Sequence, residues 1–321
     1  MIFLTGATGF VGAALLNRLT TDEVEVSALV RNELAVFPDC VKRVVADLSN
    51  LSDMDSSFLN KVDVVVHTAA RVHMMQDDST DPLSEFRKVN RDATLTLGRL
   101  AAESGVKRFV FISSIKVNGE MTRPGHPFTP EDQHVPDDPY GLSKYEAEQG
   151  LLELAKETGM EVVIIRPPLV YGPGVRANFA SMMKWVYKGV PLPFGAVHNQ
   201  RSLVALENLV SFIIHCADYQ KTPQAANQVF LISDGEDVST TQLLRKVAKA
   251  LKKQAWLVPV PVGLMTFAAK LIGRGGVANR LFGSLQVDSS KARDLLGWKP
   301  VITVDGQLKK TAKAFLDEKT V

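Results

Sequence analysis

"MIFLTGATGFVGAALLNRL", residues 1–19, is the stretch whose reading decides the fold. It opens on an apolar run of strand character, is punctuated by Gly6, Gly9 and Gly12, and continues with apolar residues at helical spacing. Glycine between a strand and a helix permits a tight turn, lets backbone N–H groups approach a diphosphate, and lets the helix pack closely on the sheet. The positive end of the helix then faces the anion. The stretch therefore predicts a dinucleotide site on the first strand-to-helix turn. It lacks a basic leading region and meets Thr5 and Gly6 after four apolar residues, so it reads as a strand rather than a signal peptide.

Outward from this loop the same alternation recurs. "VEVSALV", "RVVAD", "VDVVVHTA", "RFVFISS" and "EVVIIRP" are short apolar runs separated by helical patterns. Such runs predict an α/β fold, a doubly wound parallel sheet covered on both faces, with ligands bound at the carboxyl ends of its strands. Residues 1–170 are expected to form this domain, with a return to the sheet near residues 203–233, where "QVFLISD" reads as a strand. Residues 171–202 and 234–321 are expected to form a smaller, mostly helical C-terminal substrate domain. Within it lie a helix from Phe179 to Lys188 and one opened by a Ser239–Gln242 capping box.

Composition excludes several classes. With 37 basic and 35 acidic residues in 321, and no basic cluster interleaved with aromatics, nucleic acid is not an expected partner. The two cysteines have neither disulfide-framework nor zinc spacing, so no metal site is expected and a reducing cytoplasm fits. The apolar stretch "AWLVPVPVGLMTFAAKLIG", residues 255–273, is interrupted by Pro, Gly and Lys short of the ~20 residues a spanning helix needs. It reads as a buried loop and helix, without stable membrane insertion.

Two positions bear on the cofactor. The second strand ends in "SALVRN", with Arg31 where an acid usually bonds the ribose of NAD, so NADP(H) is slightly favoured over NAD. Asp47 in "ADLSN" is read as an acceptor for the adenine amino group, or as a cap for the next turn. In "DPYGLSKYEAEQ", residues 137–148, Tyr140 and Lys144 stand one helical turn apart on one face.

"TGATGFVG", "HTAA", "FISS", "YGLSK" and "RPPLVYGPG", in this order, closely resemble the extended short-chain dehydrogenase/reductases, the NAD-dependent epimerase/dehydratase group of nucleotide-sugar enzymes. The resemblance covers nearly the whole chain and implies a Rossmann sheet. It implies Tyr140 as acid/base, Lys144 as its partner on the cofactor ribose, Ser114 as the hydroxyl that bonds the substrate oxygen, and Asn90 as a fourth member. By the same resemblance Gly6, Thr8, Gly9, Phe10, Val11, Gly12, Arg31, Asp47, Leu48, Thr68, Ala69, Ala70 and Pro167 line the cofactor together with Tyr140 and Lys144. Asn178 and Phe179 are implied to hold a UDP moiety, and Arg201 and Arg280 its diphosphate. A homodimer paired through helices before residues 100 and 150 is also implied.

The 4,6-dehydratases of this group place an Asp-Glu pair directly after the active-site hydroxyl. Ile115 and Lys116 stand there in this chain, and neither performs that elimination. The remaining chemistry is hydride transfer at C4 of a UDP-hexose, as in UDP-glucose or UDP-N-acetylglucosamine 4-epimerases. The alternatives are a UDP-4-keto-6-deoxy-sugar reductase that consumes NADPH and a non-catalytic NADP-binding sensor. His67, His73, Met74 and Met75 read as structural rather than chemical.

Overall fold

The computed structural model describes residues 1–72, 81–132, 134–271 and 281–319. His73, Met74, Met75 and Arg280 lie outside the described residues. Each short apolar run becomes a strand: β1 Ile2–Thr5, β2 Val26–Val30, β3 Val41–Val45, β4 Val64–His67, β5 Arg108–Ile112 and β6 Glu161–Arg166. Two further strands, β7 Leu169–Tyr171 and β8 Leu203–Ala205, pair with each other, and β9 Gln228–Leu231 joins β6. The main sheet is seven-stranded and parallel throughout, in the order β3-β2-β1-β4-β5-β6-β9. Strand order reverses at β1, which pairs with β2 on one side and β4 on the other, so the ligand crevice opens beyond Thr5 and His67.

Both faces are apolar because successive side chains of each strand point oppositely. Leu4, Ala28, Val66 and Val110 meet Leu15, Leu16 and Leu19 of α1 (Phe10–Thr21) and Leu209, Phe212 and Ile213 of α6 (Leu206–Ala217). Phe3, Val65, Phe109 and Phe111 meet Leu97 and Ala101 of α3 (Ala93–Glu103) and Ala147 and Leu151 of α4 (Pro139–Thr158). Ahead of α3 lies α2 (Pro82–Arg87), joined to it by a π-helical turn over Lys88–Asp92. The expected return to the sheet is made by β9; β8 stays in the small sheet with β7, and α6 between them covers the main one.

A third core belongs to the C-terminal lobe. There Phe179 and Met183 of α5 (Ala177–Tyr187) pack with Leu243, Leu244 and Val247 of α7 (Thr240–Ala250). Helix α5 starts two residues before the expected Phe179, and the expected capping box between Ser239 and Gln242 opens α7. After α7 come α8 (Val262–Leu271) and α9 (Ser290–Leu296), whose Ala292 packs into the main-sheet core instead, and then α10 (Val304–Asp317), whose Val304, Leu308 and Ala312 complete this third core. One expectation is corrected. The stretch read as a buried loop and helix packs Leu257 inward but leaves Trp256, Val258, Leu264, Phe267 and Leu271 exposed, because no other element of the described chain covers that face.

Candidate active site

The glycine loop folds as a backbone cradle. Gly6 adopts φ +73°, and its carbonyl accepts the Gly9 N–H at 2.8 Å. A Cβ on Gly12 would lie 2.0 Å from the Gly6 oxygen, and one on Gly6 would lie 2.6 Å from Thr68 Oγ1, so neither position admits a side chain. Gly9 caps α1 without any side-chain hydrogen bond to the first turn. The free N-terminal N–H groups of a twelve-residue helix, at the point where strand order reverses, fit a dinucleotide diphosphate. Thr8, Phe10 and Val11 belong to this turn and to the start of α1; Thr68, Ala69 and Ala70 follow β4 directly, with Thr68 Oγ1 donating to Thr5 O at 2.7 Å. Arg31 is exposed just past β2; the Ser49 N–H first, and the Arg31 charge in smaller measure, favour ionised Asp47. Asp47 takes the capping role, accepting the Ser49 N–H at 2.8 Å, and Leu48 is buried in the turn it opens.

The catalytic candidates converge on the first turns of α4. Asp138 caps this helix on the Gly141 N–H, and Pro139 occupies its first position, which fixes where Tyr140 projects. The Tyr140 phenol lies beside the Ser114 hydroxyl, and its ring meets Phe86 edge-on at 5.9 Å. Ser114 is held in turn by accepting the Lys116 N–H at 3.2 Å, while Pro167 O accepts the Ile115 N–H at 3.0 Å. Burial pushes the phenol up to about 12; the Ser114 hydroxyl opposes this and the Asp138 charge adds to it.

Lys144 is fully buried one turn on, with Nζ 4.1 Å from the centre of the Phe111 ring. Burial lowers it to about 7, against the pull of Glu148 one further turn along. Glu148 is itself buried and paired with Arg166 at the end of β6, at 2.5 Å. Arg166 Nη1 reaches Asn118 Oδ1 at 3.0 Å.

Asn90 sits in the π-helical turn, and its amide is spent on architecture. It accepts the Arg71 N–H at 2.8 Å and donates to Arg71 O at 3.0 Å and to Ser143 Oγ at 3.1 Å. The turn after β4 is thereby fastened to α4. His67 lies between Thr5 Oγ1 at 2.7 Å and Thr94 Oγ1 at 3.0 Å, and burial, with the Lys144 charge, lowers it to about 3. It is neutral at physiological pH.

The residues implied for the nucleotide lie in the second lobe. Asn178 is exposed in the first turn of α5, directly after Ala177 at φ +54°, a left-handed conformation that a residue with a Cβ adopts at a cost. Phe179 is buried and stacks on Tyr171 at 5.5 Å, which leaves its backbone for any ligand contact. Arg201 exchanges both backbone hydrogen bonds with Val238, and its Nη1 donates to Gly283 O at 3.1 Å. Segment 284–288 bonds Gln200 and Ser202 on one side and Thr122 and Phe128 on the other. That segment brings Arg201 toward the loop leaving Ser114. The positioning residues Phe86, Phe111, Glu148 and Arg166 carry no signal in sequence except Glu148, four residues beyond Lys144.

Comparison with known proteins places this geometry. The model of the NAD dependent epimerase/dehydratase family matches residues 2–232. The chain is 51% identical to a UDP-glucose 4-epimerase of Vibrio cholerae over 317 residues, 98% of this chain and 95% of that protein. It is 29% identical to the N-acetyl-alpha-D-glucosaminyl-diphospho-ditrans,octacis-undecaprenol 4-epimerase of Escherichia coli O157:H7, covering 82% and 77%. Its fold is shared with the UDP-glucose 4-epimerase of Thermotoga maritima, solved with UDP-glucose, at a TM-score of 0.77 and 21% identity over 99% of both chains. The family match contains the glycine loop, Ser114, Tyr140 and Lys144, and so the chain belongs to the NAD dependent epimerase/dehydratase family.

Proposed function

We propose that this enzyme inverts C4 of a UDP-hexose, interconverting UDP-glucose and its C4 epimer. The observation that carries the reading is the 51% identity, over nearly the full length of both chains, to the Vibrio cholerae UDP-glucose 4-epimerase. The site supports it. Tyr140, beside Ser114, is a proton donor and acceptor for a sugar hydroxyl, and Ser114 orients that hydroxyl. Lys144 supplies a cation one turn below.

The cradle of Gly6, Gly9 and Gly12 would hold the diphosphate of NAD, with Lys144 on its ribose. When bound, the nicotinamide would supply a hydride acceptor that gives the hydride back to the opposite face of the C4 ketone, and its positive ring would favour phenolate over phenol. Tyr140 takes the C4 hydroxyl proton as the ketone forms and gives it back when the alcohol re-forms. Ile115 and Lys116 offer no carboxyl pair for elimination, and Lys116 is itself paired with Glu120 at 2.8 Å. In the same reading Asn178, the Phe179 backbone and Arg201 hold the UDP moiety, the guanidinium suiting a diphosphate. Two copies pair through α3 and α4.

The test is to incubate the purified protein with UDP-glucose and follow the C4 epimer by proton NMR, then identify by mass spectrometry the nucleotide released on denaturation. Conversion to equilibrium without added cofactor, with NAD released in stoichiometric amount, is expected. No epimer, with label from 4-labelled NADPH accumulating in the product of a 4-keto sugar, would establish a reductase instead and give Arg31 the 2′-phosphate.

A further inference from the structure

The corrected stretch carries an inference independent of the proposed reaction. Leu264, Phe267 and Leu271 of α8 are 61%, 61% and 72% exposed and recur at i, i+3 and i+7, which puts them on one stripe. Trp256 and Val258, shortly before α8, are exposed on alternate residues around inward Leu257. Leu192 pairs with this segment through hydrogen bonds to Trp256 O and from Val258 N, which brings the exposed Val190 and Trp185 alongside. Exposed aromatic and aliphatic residues so concentrated cost free energy in water unless something covers them.

The charge around this face names the cover. Residues 162–206 and 238–271, which contain it, have no aspartate or glutamate. The fold joins these two acid-free segments and leaves Lys184, Lys188, Lys252, Lys253 and Lys270 exposed about the apolar residues. Lys253 stands over the Tyr187 ring at 5.3 Å, next to Lys188. An apolar helix face with Trp and Phe, rimmed by lysine, matches the interface of an anionic bilayer, where aromatic rings enter the headgroup region and ammonium groups meet phosphate. Ten residues of helix span about 15 Å, half of what crossing requires, and no described helix is long and apolar enough to cross. We propose that the face formed by α8 and the 185–190 and 256–258 segments docks the protein in the plane of an anionic lipid surface.

Flotation with vesicles tests this. The protein should float with phosphatidylcholine vesicles that contain phosphatidylglycerol and remain behind with phosphatidylcholine alone at ~0.1 M salt, where lysines still act across a Debye length. Tryptophan emission should shift to the blue on binding through Trp185 and Trp256, because Trp298 is already buried against Phe212. Phe267→Glu and, separately, Lys252→Glu with Lys253→Glu should each weaken anionic-vesicle binding by about tenfold or more. Failure of the wild-type protein to float with anionic vesicles overturns the proposal, as does undiminished flotation of Phe267→Glu. So does a dimer in sedimentation that Phe267→Glu dissociates without any vesicle binding, since a second copy would then be the cover.

Discussion

Helices α4 and α8 break the ordinary partition of residues in opposite directions. Helix α4 carries Lys144 and Glu148 to 1% and 0% exposure, although charged side chains are rarely buried unless paired. Helix α8 leaves its leucines and phenylalanine in solvent. Each departure is costly alone, and each calls for further groups to complete the arrangement. On α4 the environment is built: Phe111 lies under the ammonium, Arg166 answers Glu148, and Asn90 ties Ser143 to the turn after β4. On α8 nothing within the described chain plays that part. The difference teaches that buried charge reports a site finished by internal hydrogen bonds, whereas exposed apolar surface reports one finished by a partner.

Substitutions on the two helices should therefore behave oppositely. Tyr140→Phe should lower turnover of the UDP-hexose by ~10²–10⁴ while leaving bound nucleotide in place, the range for losing a general acid/base. Full turnover in that variant would break the catalytic assignment. Glu148→Gln should destabilise the fold by roughly 3–5 kcal/mol in denaturant titration, because it strands the buried Arg166 charge. An unchanged midpoint would mean that water reaches the pair.

Gly12→Ala tests the cradle beside them: its methyl would have to displace the Gly6 carbonyl, and titration should show nucleotide affinity reduced by about tenfold or more. Acidification reads the packing under α4. His67 is held near 3 when folded and returns to an ordinary 6.5 when unfolded, so the unfolded chain binds the extra proton between these values. Stability should be unaffected by this group above pH 6.5 and fall as pH drops below it; His67→Gln should flatten that slope in thermal melts. Phe267→Glu should have the smallest effect, under about 0.5 kcal/mol in the same melts, because its side chain leaves no core contact behind. A large loss would show that α8 is packed in solution and would remove the contrast.

Much of this was readable in one dimension. The sheet was legible because a strand covered on both faces must be apolar throughout, and "VDVVVHTA" or "EVVIIRP" admits little else. The glycine loop and the Tyr140–Lys144 spacing were legible because both are local: one depends on missing Cβ atoms, the other on the helical period. Asp47 shows the limit, since an acid at the start of a turn serves as cap or ligand by the same chemistry, and the Ser49 bond shows the cap on one of its two carboxylate oxygens.

The amino-acid sequence by itself determined the parallel sheet, the glycine turn suited to a diphosphate and the one-turn spacing of Tyr140 and Lys144. These follow from periodicity and residue type over a few positions. Tertiary structure decided what surrounds them: which side chains press Tyr140 and Lys144 away from their solution acidities, and how segment 284–288 carries Arg201 toward the loop leaving Ser114. It also decided that two acid-free segments meet around an apolar helix. Burial and charge depend on residues that are neighbours only after folding, because desolvation and Coulomb interactions act through space rather than along the chain.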